Sequence, residues 1–474
     1  MAKIIFLNRY FYPDHSATSQ LLSQLTFDLV KEDMDIHVIS SRQCYDDANA
    51  ELPEEDVING VVVHRCWTSR FGRSWLFGRL IDYLTYYLTV YVKLLSILRE
   101  GDVVVAETDP PMISIIASAC CVLKGARLVN WLHDLFPEVA VGLGVKGFRG
   151  PVTWTLKKLR NLSLKLATRN VVLGSRMSEY LILQGIPSNK IQIIHNWSDS
   201  RKVHPLEGIN PLSAAWGTEN KFVVGYSGNM GRVHDFNAIL DAATCLKDES
   251  NIVFLFIGGG PQKAWVRREV SKRGLGNVFF KPYQAEENLS QSLSLPDVHL
   301  ISLRPEMEGF SVPSKYYGIA AAGRASIFIG NEDGEIARII RRDNCGLFVD
   351  QGDGGALATR ISWMSQNRQA VSDMGFRARD SLVKRFDANV AIDIWKKLLR
   401  EVLLNGSADV ASEIDSQPEQ VVISECERSN QSSVCWLKDY IQNYNAPIIK
   451  RSSFLSDQRQ NVGVVSNRKS SARR

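Results

Sequence analysis

Residues 298–330 read VHLISLRPEMEGFSVPSKYYGIAAAGRASIFIG and carry the signals of a strand, a helix and a second strand in succession. The β-branched run at the start leads into an acidic loop, after which Pro313 is predicted to open an alanine-rich helix that Gly323 ends. Proline at the first helical position and glycine just past the last turn are typical of helix termini. The apolar run ASIFIG follows, so the stretch predicts a βαβ unit of a parallel sheet.

The same alternation of short apolar runs and longer amphipathic segments extends in both directions from this unit. The later part of the chain adds the runs KFVVGYSG, NIVFLFIGGG, NVFFKPY and CGLFVD, and the first 200 residues contain KIIFL, DIHVIS, DVVVAE, RLVNWLHD and NVVLGS. A polar, proline-containing stretch, residues 200–220, separates the two series. With 474 residues, 45% of them apolar, we predict an α/β protein of two similar halves.

Composition limits the setting of the protein. The formal net charge is +5, which excludes a histone-like polycation, and we expect no nucleic-acid partner. The eight cysteines contain no C-x-x-C pair, so neither a disulfide framework nor a zinc ribbon is expected. The opening MAKIIFLNRYFYPDH lacks the apolar run of a signal peptide, which together with the cysteines predicts a cytoplasmic protein.

The end of the chain changes in composition after Asn405. Residues 405–474 are rich in Ser, Gln, Asn and Glu and become basic at the end, so we predict a mostly disordered tail. The last helical pattern, residues 386–404, carries Val390, Ile394, Leu398 and Leu399 at helical spacing. The spacing allows this helix to pack on either half and does not choose between them.

The most hydrophobic segment is residues 75–98, WLFGRLIDYLTYYLTVYVKLLSIL. Arg79, Asp82 and Lys93 lie inside it, and each costs about 2.5 to 3.5 kcal/mol at a bilayer centre, so a membrane span is not expected. Two interpretations remain open. The segment is either a buried helix of the first half or a helix lying on an anionic membrane surface, aided by the nearby Arg65, Arg70, Arg73 and Arg79.

The loop and helix start in residues 304–315 point to an anionic ligand. Free backbone N–H groups at the start of the predicted helix, with the Lys315 ammonium, would bind a diphosphate. Glu308 just upstream would accept hydrogen bonds from sugar hydroxyls, because a carboxylate repels phosphate. Together these features predict a nucleotide-sugar site that includes Gly309, Phe310, Ser311, Val312 and Ser314.

Two glycine-bearing turns follow strands of the second half and would lie at the same edge of its sheet. The first is YSGNMGR, with Gly228, Asn229, Gly231 and Arg232, and the second is Gly258-Gly259-Gly260. Glycine lets a phosphate or base approach the backbone, and Arg232 is a candidate contact to a diphosphate. Neither turn is the G-x-G-x-x-G of a dinucleotide fold, and no Walker sequence occurs.

In the first half, His133 and Asp134 follow the strand RLVNWL. His133 is a candidate to hydrogen-bond a substrate hydroxyl, with Asp134 setting its tautomer. The loop after the first strand carries Ser16, Ala17 and Thr18, candidates for a phosphate or acceptor contact. The histidines have no metal-ligand spacing, so metal-independent chemistry is expected.

Taken together and in order, these residues resemble the family-four retaining glycosyltransferases. The likeness spans roughly residues 3–404 and rests on YPDHSATS, WLHDLFPE, IIHNW, VVGYSGNMGR, FIGGGPQ and EGFSVPSKYYGIAAAGR. The family implies a GT-B fold, in which two Rossmann-like domains face each other across a cleft. Its nearest branch resembles bacterial surface-polysaccharide enzymes that transfer amino sugars of the fucosamine type.

The resemblance assigns roles to the two halves. Residues 1–200, with a returning helix 386–404, would bind the acceptor, and residues 201–385 would bind the nucleotide sugar. The implied catalytic residues are His133, Glu308, Lys315 and Arg232. The implied donor pocket comprises Pro282 with the residues of the glycine turns and of the 309–314 loop named above.

Two positions depart from the family pattern. The second glutamate of its E-x-x-x-x-x-x-x-E signature is missing, since Tyr316 and Gly318 stand at the two positions where it could fall. The first loop lacks the usual Gly-Gly pair, and the basic pair of the second half is present only as Arg232 with His234 nearby. Ribose recognition must therefore come from other residues.

The resemblance implies retaining transfer without a metal. The donor would be a UDP- or GDP-linked sugar and the acceptor a lipid-linked or oligosaccharide one, with the protein peripheral on the cytoplasmic face of the inner membrane. Two alternatives stay open: a nucleotide-sugar epimerase of the same fold, and a catalytically weak scaffold of a polysaccharide assembly complex.

Overall fold

The computed structural model describes residues 2–47, 49–72, 76–148 and 150–404. The predicted disordered tail, residues 405–474, lies outside the described residues, as do Arg73, which precedes the apolar segment, and Trp75 at its start.

The first sheet has eight strands in the order β3-β4-β2-β1-β5-β6-β7-β8, and all neighbours are parallel except β3 and β4. Those two form a hairpin through Asn59 and Gly60, both with positive φ, an Asn-Gly signal typical of two-residue turns. The strands are β1 Ile4–Leu7, β2 Ile36–Ser41, β3 Glu55–Ile58, β4 Val61–Cys66, β5 Val103–Ala106, β6 Arg127–Leu132, β7 Arg169–Val172 and β8 Ile191–Ile193.

Six helices accompany this sheet along the chain and supply the layers on its two faces. They are α1 Ala17–Val30, α2 Leu76–Ile97, α3 Ile113–Lys124, α4 Glu138–Gly142, α5 Pro151–Leu166 and α6 Ser175–Leu183. One face of the sheet packs on α1, with Leu22, Leu25 and Leu29 buried there. The other face packs on α2 and α3, with Tyr86, Val90 and Leu94 buried.

The second sheet has six parallel strands in the order β11-β10-β9-β12-β13-β14. They are β9 Phe222–Ser227, β10 Ile252–Ile257, β11 Val278–Lys281, β12 Val298–Ser302, β13 Ala325–Gly330 and β14 Gly346–Asp350. The remaining helices are α7 Pro211–Trp216, α8 Asn237–Cys245, α9 Lys263–Arg273, α10 Leu289–Ser294, α11 Lys315–Ala321, α12 Glu335–Asp343, α13 Gly354–Gln366, α14 Arg368–Ser381 and α15 Ala388–Leu404. The predicted two-sheet α/β fold is confirmed, since every apolar run named above forms a strand.

The final helix, α15, returns to the first sheet. Its buried residues Trp395, Leu398 and Leu399 belong to the core that contains β1 and α1, and the Trp395 ring lies 4.8 Å from that of Trp131. The predicted apolar face was partly wrong, because Ile394 is exposed and Val390 only half-buried. Trp395 shares a helical face with Leu398 and Leu399, three and four residues later, and was missed because the predicted face was counted from Val390.

Helix α2 is buried on one face, as the core interpretation expects, and exposes apolar side chains on the other, while the membrane interpretation stays a prediction. Tyr86 is fully buried and its hydroxyl donates to the Asn8 carbonyl at 3.0 Å. On the opposite side Leu80, Leu84 and Leu88 are 52%, 56% and 65% exposed. Within the described chain, Phe77–Ile97 is long and apolar enough to cross a membrane by length and composition, a test that core helices of soluble proteins also pass.

We expect Trp395→Ala to lower the free energy of unfolding by about 3 to 5 kcal/mol, because the fully buried indole leaves a cavity beside Trp131. The adjacent Ile394→Ala, at an exposed position, is the matched control and should cost under about 1 kcal/mol. Urea unfolding of both variants measures the difference. Equal losses would show that α15 is not anchored through Trp395.

Candidate active site

Two loops, one from each sheet, meet edge to edge. The Leu135 N–H donates to the Phe310 carbonyl at 2.8 Å, and Asp134 pairs with Ser311 as in an antiparallel ladder. The Phe310 ring is buried and packs edge-on against Tyr180, with centroids 4.9 Å apart. The loops that carry the predicted residues His133 and Glu308 are therefore neighbours, although 175 residues separate them in the chain.

Glu335, which the sequence analysis missed, spans the same junction. It lies at the first position of α12, and its carboxylate accepts hydrogen bonds from Ser175 Oγ at 2.9 Å and the Arg176 N–H at 3.1 Å. Gly174 permits this approach, because a Cβ there would fall 2.4 Å from Glu335 Cδ. The sequence shows an acidic residue in the first turn of a helix, but it does not show that this residue bonds to the half of the chain that carries the other sheet.

Glu308 is deeply buried beside this junction. Its Oε1 accepts the Glu335 backbone N–H at 2.9 Å, and its side chain is 2% exposed. Burial, together with the nearby Glu335 carboxylate, raises the pKa of Glu308 to about 7. Oε1 is thus engaged by the protein. The contact of Glu308 to sugar hydroxyls stays a prediction and would use Oε2.

Lys315 is held by three groups of the second half. Its Nζ lies 2.9 Å from His234 Nε2 and 3.2 Å from the Asn229 carbonyl, and 4.8 Å from the centre of the Tyr226 ring. His234 Nδ1 faces the Ser302 carbonyl, which only accepts, so this nitrogen carries the proton and Nε2 accepts from Lys315.

The pKa values at this cluster are both lowered. Burial, with the Lys315 charge, lowers the pKa of His234 to about 3, so His234 is neutral and does not complete a basic pair. Lys315 lies deep between the loops although part of its side chain stays accessible, and this desolvation lowers its pKa to about 7. No carboxylate compensates the ammonium within ion-pair distance in the described parts of the chain. An anion would stabilise the charged form.

The predicted start of the helix is wrong by two residues, since α11 begins at Lys315 and Pro313 precedes it. The Ser311 N–H is also not free, because it donates to the Met307 carbonyl at 3.1 Å. Gly309, Val312 and Ser314 complete the loop that leads to Lys315. Tyr316 is fully buried with its hydroxyl 3.4 Å from Cys345 Sγ, so it does not replace the missing glutamate.

The two glycine turns pack against each other. The Met230 N–H donates to the Gly259 carbonyl at 2.7 Å, and a Cβ on Gly258, at φ +130°, would lie 2.3 Å from the Gly228 oxygen. Gly258 therefore lacks a side chain because the two loops touch there. The sequence analysis had expected glycine to make room for a ligand. The other turn residues predicted to bind the donor, Asn229, Gly231 and Gly260, lie in the same pair of loops.

His133 has a different carboxylate partner from the one predicted. Its Nε2 lies 3.1 Å from Glu107 Oε2, whose side chain is fully buried, whereas Asp134 turns to Ser311. Burial raises the pKa of Glu107, and the hydrogen bond and charge of His133 oppose that rise. Glu107 follows β5 in the run DVVVAE, and sequence did not indicate that β5 and β6 are neighbours.

The remaining predicted residues lie around this centre. Ser16 precedes α1, followed by Ala17 and Thr18 in its first turn, and the Ser16 N–H donates to Asp14 Oδ1 at 2.8 Å. Arg232 is exposed and donates to the Leu143 carbonyl at 3.4 Å, across the junction. Pro282 precedes Tyr283, whose half-exposed ring lies against Gly259.

Among the residues that the structure describes, no group of three or more His, Cys, Asp or Glu side chains lies together as a metal site. The expectation of metal-independent chemistry remains a prediction.

Comparison with known families matches both halves. A family described as Glycosyltransferase Family 4 matches residues 19–202, and one described as Glycosyl transferases group 1 matches residues 212–381. Between them the two matches cover most of the described chain.

Individual relatives and solved structures agree with these family matches. The probable glycosyltransferase WbjE of Pseudomonas aeruginosa is 28% identical over 66% of this chain and 78% of that protein. The putative colanic acid biosynthesis glycosyl transferase WcaI of Escherichia coli is 27% identical over 46% of this chain and 54% of that protein. Among solved structures, Anabaena HepE in complex with UDP and glucose superposes with a TM-score of 0.64 at 15% identity, covering 85% of this chain and all of that one.

A second structure, sucrose-phosphate synthase of Thermosynechococcus elongatus, gives a TM-score of 0.68 at 13% identity over 85% of this chain and 100% of its own. The chain is therefore a glycosyltransferase with the GT-B fold, in which a family 4 domain is followed by a group 1 domain.

We predict that Lys315→Met flattens the pH dependence of stability between about pH 7 and about pH 10.5. Because the pKa of Lys315 is lowered in the folded state, the unfolded chain holds more protons in this window. Stability of the native protein therefore rises with pH there, by at most about 1.4 kcal/mol per pH unit. Urea unfolding at both ends of the window checks the sign, and a variant with the same slope as the native protein would contradict the assignment.

Proposed function

We propose that the protein is a retaining glycosyltransferase that moves a sugar from a nucleotide diphosphate to a lipid-linked saccharide during bacterial surface-polysaccharide synthesis. The relatives named above support this class, since one of them is a putative glycosyl transferase of colanic acid biosynthesis. The observation that carries the proposal is Lys315, a desolvated cation without a carboxylate partner in the described chain, beside the glycine turns.

The donor diphosphate would lie at Lys315. A diphosphate supplies the negative charge that the cluster lacks, and it would raise the pKa of Lys315 so that the side chain is fully charged. HepE, which shares the fold, was solved with UDP, and we extend a nucleoside diphosphate to this chain as part of the proposal. The exposed ring of Tyr283 beside Gly259 offers a surface on which the base stacks.

The reaction would proceed without a metal ion. As the bond between the sugar and the phosphate breaks, charge grows on the leaving diphosphate, and Lys315 and Arg232 stabilise it in a site with little water. The acceptor hydroxyl attacks the same face of the sugar, forms the new glycosidic bond and passes its proton to the leaving phosphate oxygen. A separate carboxylate base is then unnecessary.

His133 and Glu308 would hold the donor sugar from opposite sides of the junction. Glu107 Oε2 lies 3.1 Å from His133 Nε2 on one side of the ring, which would leave Nδ1 to meet a hydroxyl. Glu308, with a pKa of about 7, both accepts and donates hydrogen bonds near neutral pH. The sugar transferred would be an amino sugar, as the resemblance implies.

The acceptor would reach the site from a membrane. The exposed stripe of α2, which contains Leu80, Leu84, Leu88 and Val92, is an apolar surface on which no described residue packs as a layer. Such a stripe, next to Arg70 and Arg79, suits a helix that lies in the headgroup layer of an anionic bilayer. We place the protein on the cytoplasmic face of the inner membrane.

We expect one of UDP, GDP and ADP to raise the melting temperature of the protein, since a ligand at 100 times its Kd adds about 2.7 kcal/mol. Lys315→Met should weaken that nucleotide about tenfold or more, because it removes a charged hydrogen bond. Arg360→Met, on the exposed surface of α13, is the control. If no nucleotide shifts the native protein, the weak scaffold becomes the better explanation.

Vesicles that contain anionic lipid should sediment the native protein at low ionic strength. Leu84→Glu places a charge on the exposed stripe and should reduce the bound fraction several-fold. Phe376→Glu, at an apolar position on α14 that is 74% exposed against 56% for Leu84, is the control and should bind as the native protein does. Loss of binding in both variants, or in neither, would remove α2 as the membrane contact.

A further inference from the structure

A second buried cation lies on the first sheet, outside the residues assigned above. Arg9 follows β1 and is 4% exposed, yet its Nε has no hydrogen-bond partner and its Nη2 has only a long contact of 3.5 Å to Gln43 Oε1. The guanidinium packs on two rings, 5.4 Å from the centre of Tyr10 and 5.1 Å from that of Tyr83. No carboxylate of the described residues lies within 4.0 Å of it.

A third cation shares one of these rings. Arg79 of α2 lies 5.3 Å from the centre of the Tyr83 ring, and its Nε donates to the Tyr83 hydroxyl at 2.8 Å. Arg79 is exposed and likewise has no ion pair with a described residue. Two guanidinium groups on one tyrosine repel each other, and a buried charge without a counter-ion is costly. An anion bound beside Tyr83 would offset the charge of both groups.

Apolar side chains lead away from these cations along α2. Leu80, Leu84 and Leu88 follow Arg79 at a spacing of four residues, so they lie on one side of the helix, and all three are more than half exposed. An anion bound at Arg79 therefore has a hydrocarbon-compatible surface beside it. A free inorganic anion would not use this surface.

The same cations are connected to the candidate active site by a short segment. The Arg9 N–H donates to the Asp109 carbonyl at 2.7 Å, and the hydroxyl of Thr108 accepts from the His133 N–H at 3.2 Å. Arg9 thus follows β1 at the same edge of the sheet where β5 and β6 end, the edge that also carries His133.

We propose that Arg9, Tyr83 and Arg79 form the site for the phosphate of the acceptor, in which phosphate joins a hydrocarbon chain to the first sugar. Arginine donates in a fork that matches phosphate oxygens, and the chain follows the exposed leucines of α2. This inference rests on the proposed function, because it names the acceptor class of that same reaction.

Farnesyl diphosphate, a short phosphate-bearing hydrocarbon, is the probe. We expect it to bind the full-length protein in calorimetry, with inorganic pyrophosphate binding at least about tenfold more weakly and farnesol not detectably. Arg79→Gln should weaken farnesyl diphosphate about tenfold and leave nucleotide binding unchanged. Arg9→Gln should do the same where circular dichroism shows that it folds, and Arg360→Gln on α13 is the control for net charge.

The outcomes of these binding measurements either support or overturn the acceptor-phosphate site. Unchanged farnesyl diphosphate binding in Arg79→Gln, or none in the native protein, would overturn it. Equal affinity for inorganic pyrophosphate would overturn the hydrocarbon part, and a matching loss of nucleotide binding in Arg79→Gln would assign the cations to the donor. The proposed function fails separately, if no nucleotide binds while farnesyl diphosphate still does.

Discussion

The contact between the loops at Leu135 and Phe310 is the constraint on which the site depends. The backbone bond of 2.8 Å aligns the end of β6 with the loop after β12, and the buried Phe310 ring fixes the two sheets against Tyr180. Glu335 adds a second tie, because its carboxylate accepts from the start of α6 while its N–H binds Glu308. His133 and Glu308, the residues proposed to hold the sugar, are therefore positioned by the same contacts.

Burial away from water sets the pKa values of the charged residues at the site. Lys315 and Glu308 both have a pKa of about 7, one lowered and one raised, because each charged form is desolvated. Without a ligand, the site therefore carries less charge than its residue types suggest. A diphosphate bound as proposed would restore the ammonium of Lys315.

Helix α2 shows why one hydrophobic segment supported two interpretations. Its buried face, with Tyr86, Val90 and Leu94, completes the core of the first sheet, while Leu80, Leu84 and Leu88 remain exposed. The two faces alternate because residues that share a helical face recur every three or four positions. A composition that is apolar all round therefore fills a core on one side and leaves an exposed apolar surface on the other.

The sequence by itself determined eleven of the fourteen strands of the described chain, their parallel direction and the two-sheet fold, because these follow from local periodicity and from glycine and proline at element ends. Strands β3, β4 and β8 were not among the runs it indicated, and β3 is antiparallel to β4. The sequence also identified Glu308, Lys315 and His133 as candidates, since residues that follow strands share one edge of a sheet. It could not determine their partners. Glu107 for His133, His234 as a neutral acceptor for Lys315, and Glu335 across the junction all depend on which strands and helices become neighbours. Hydrogen bonds and desolvation between residues far apart in the chain are properties of packing, and only the tertiary structure decides them.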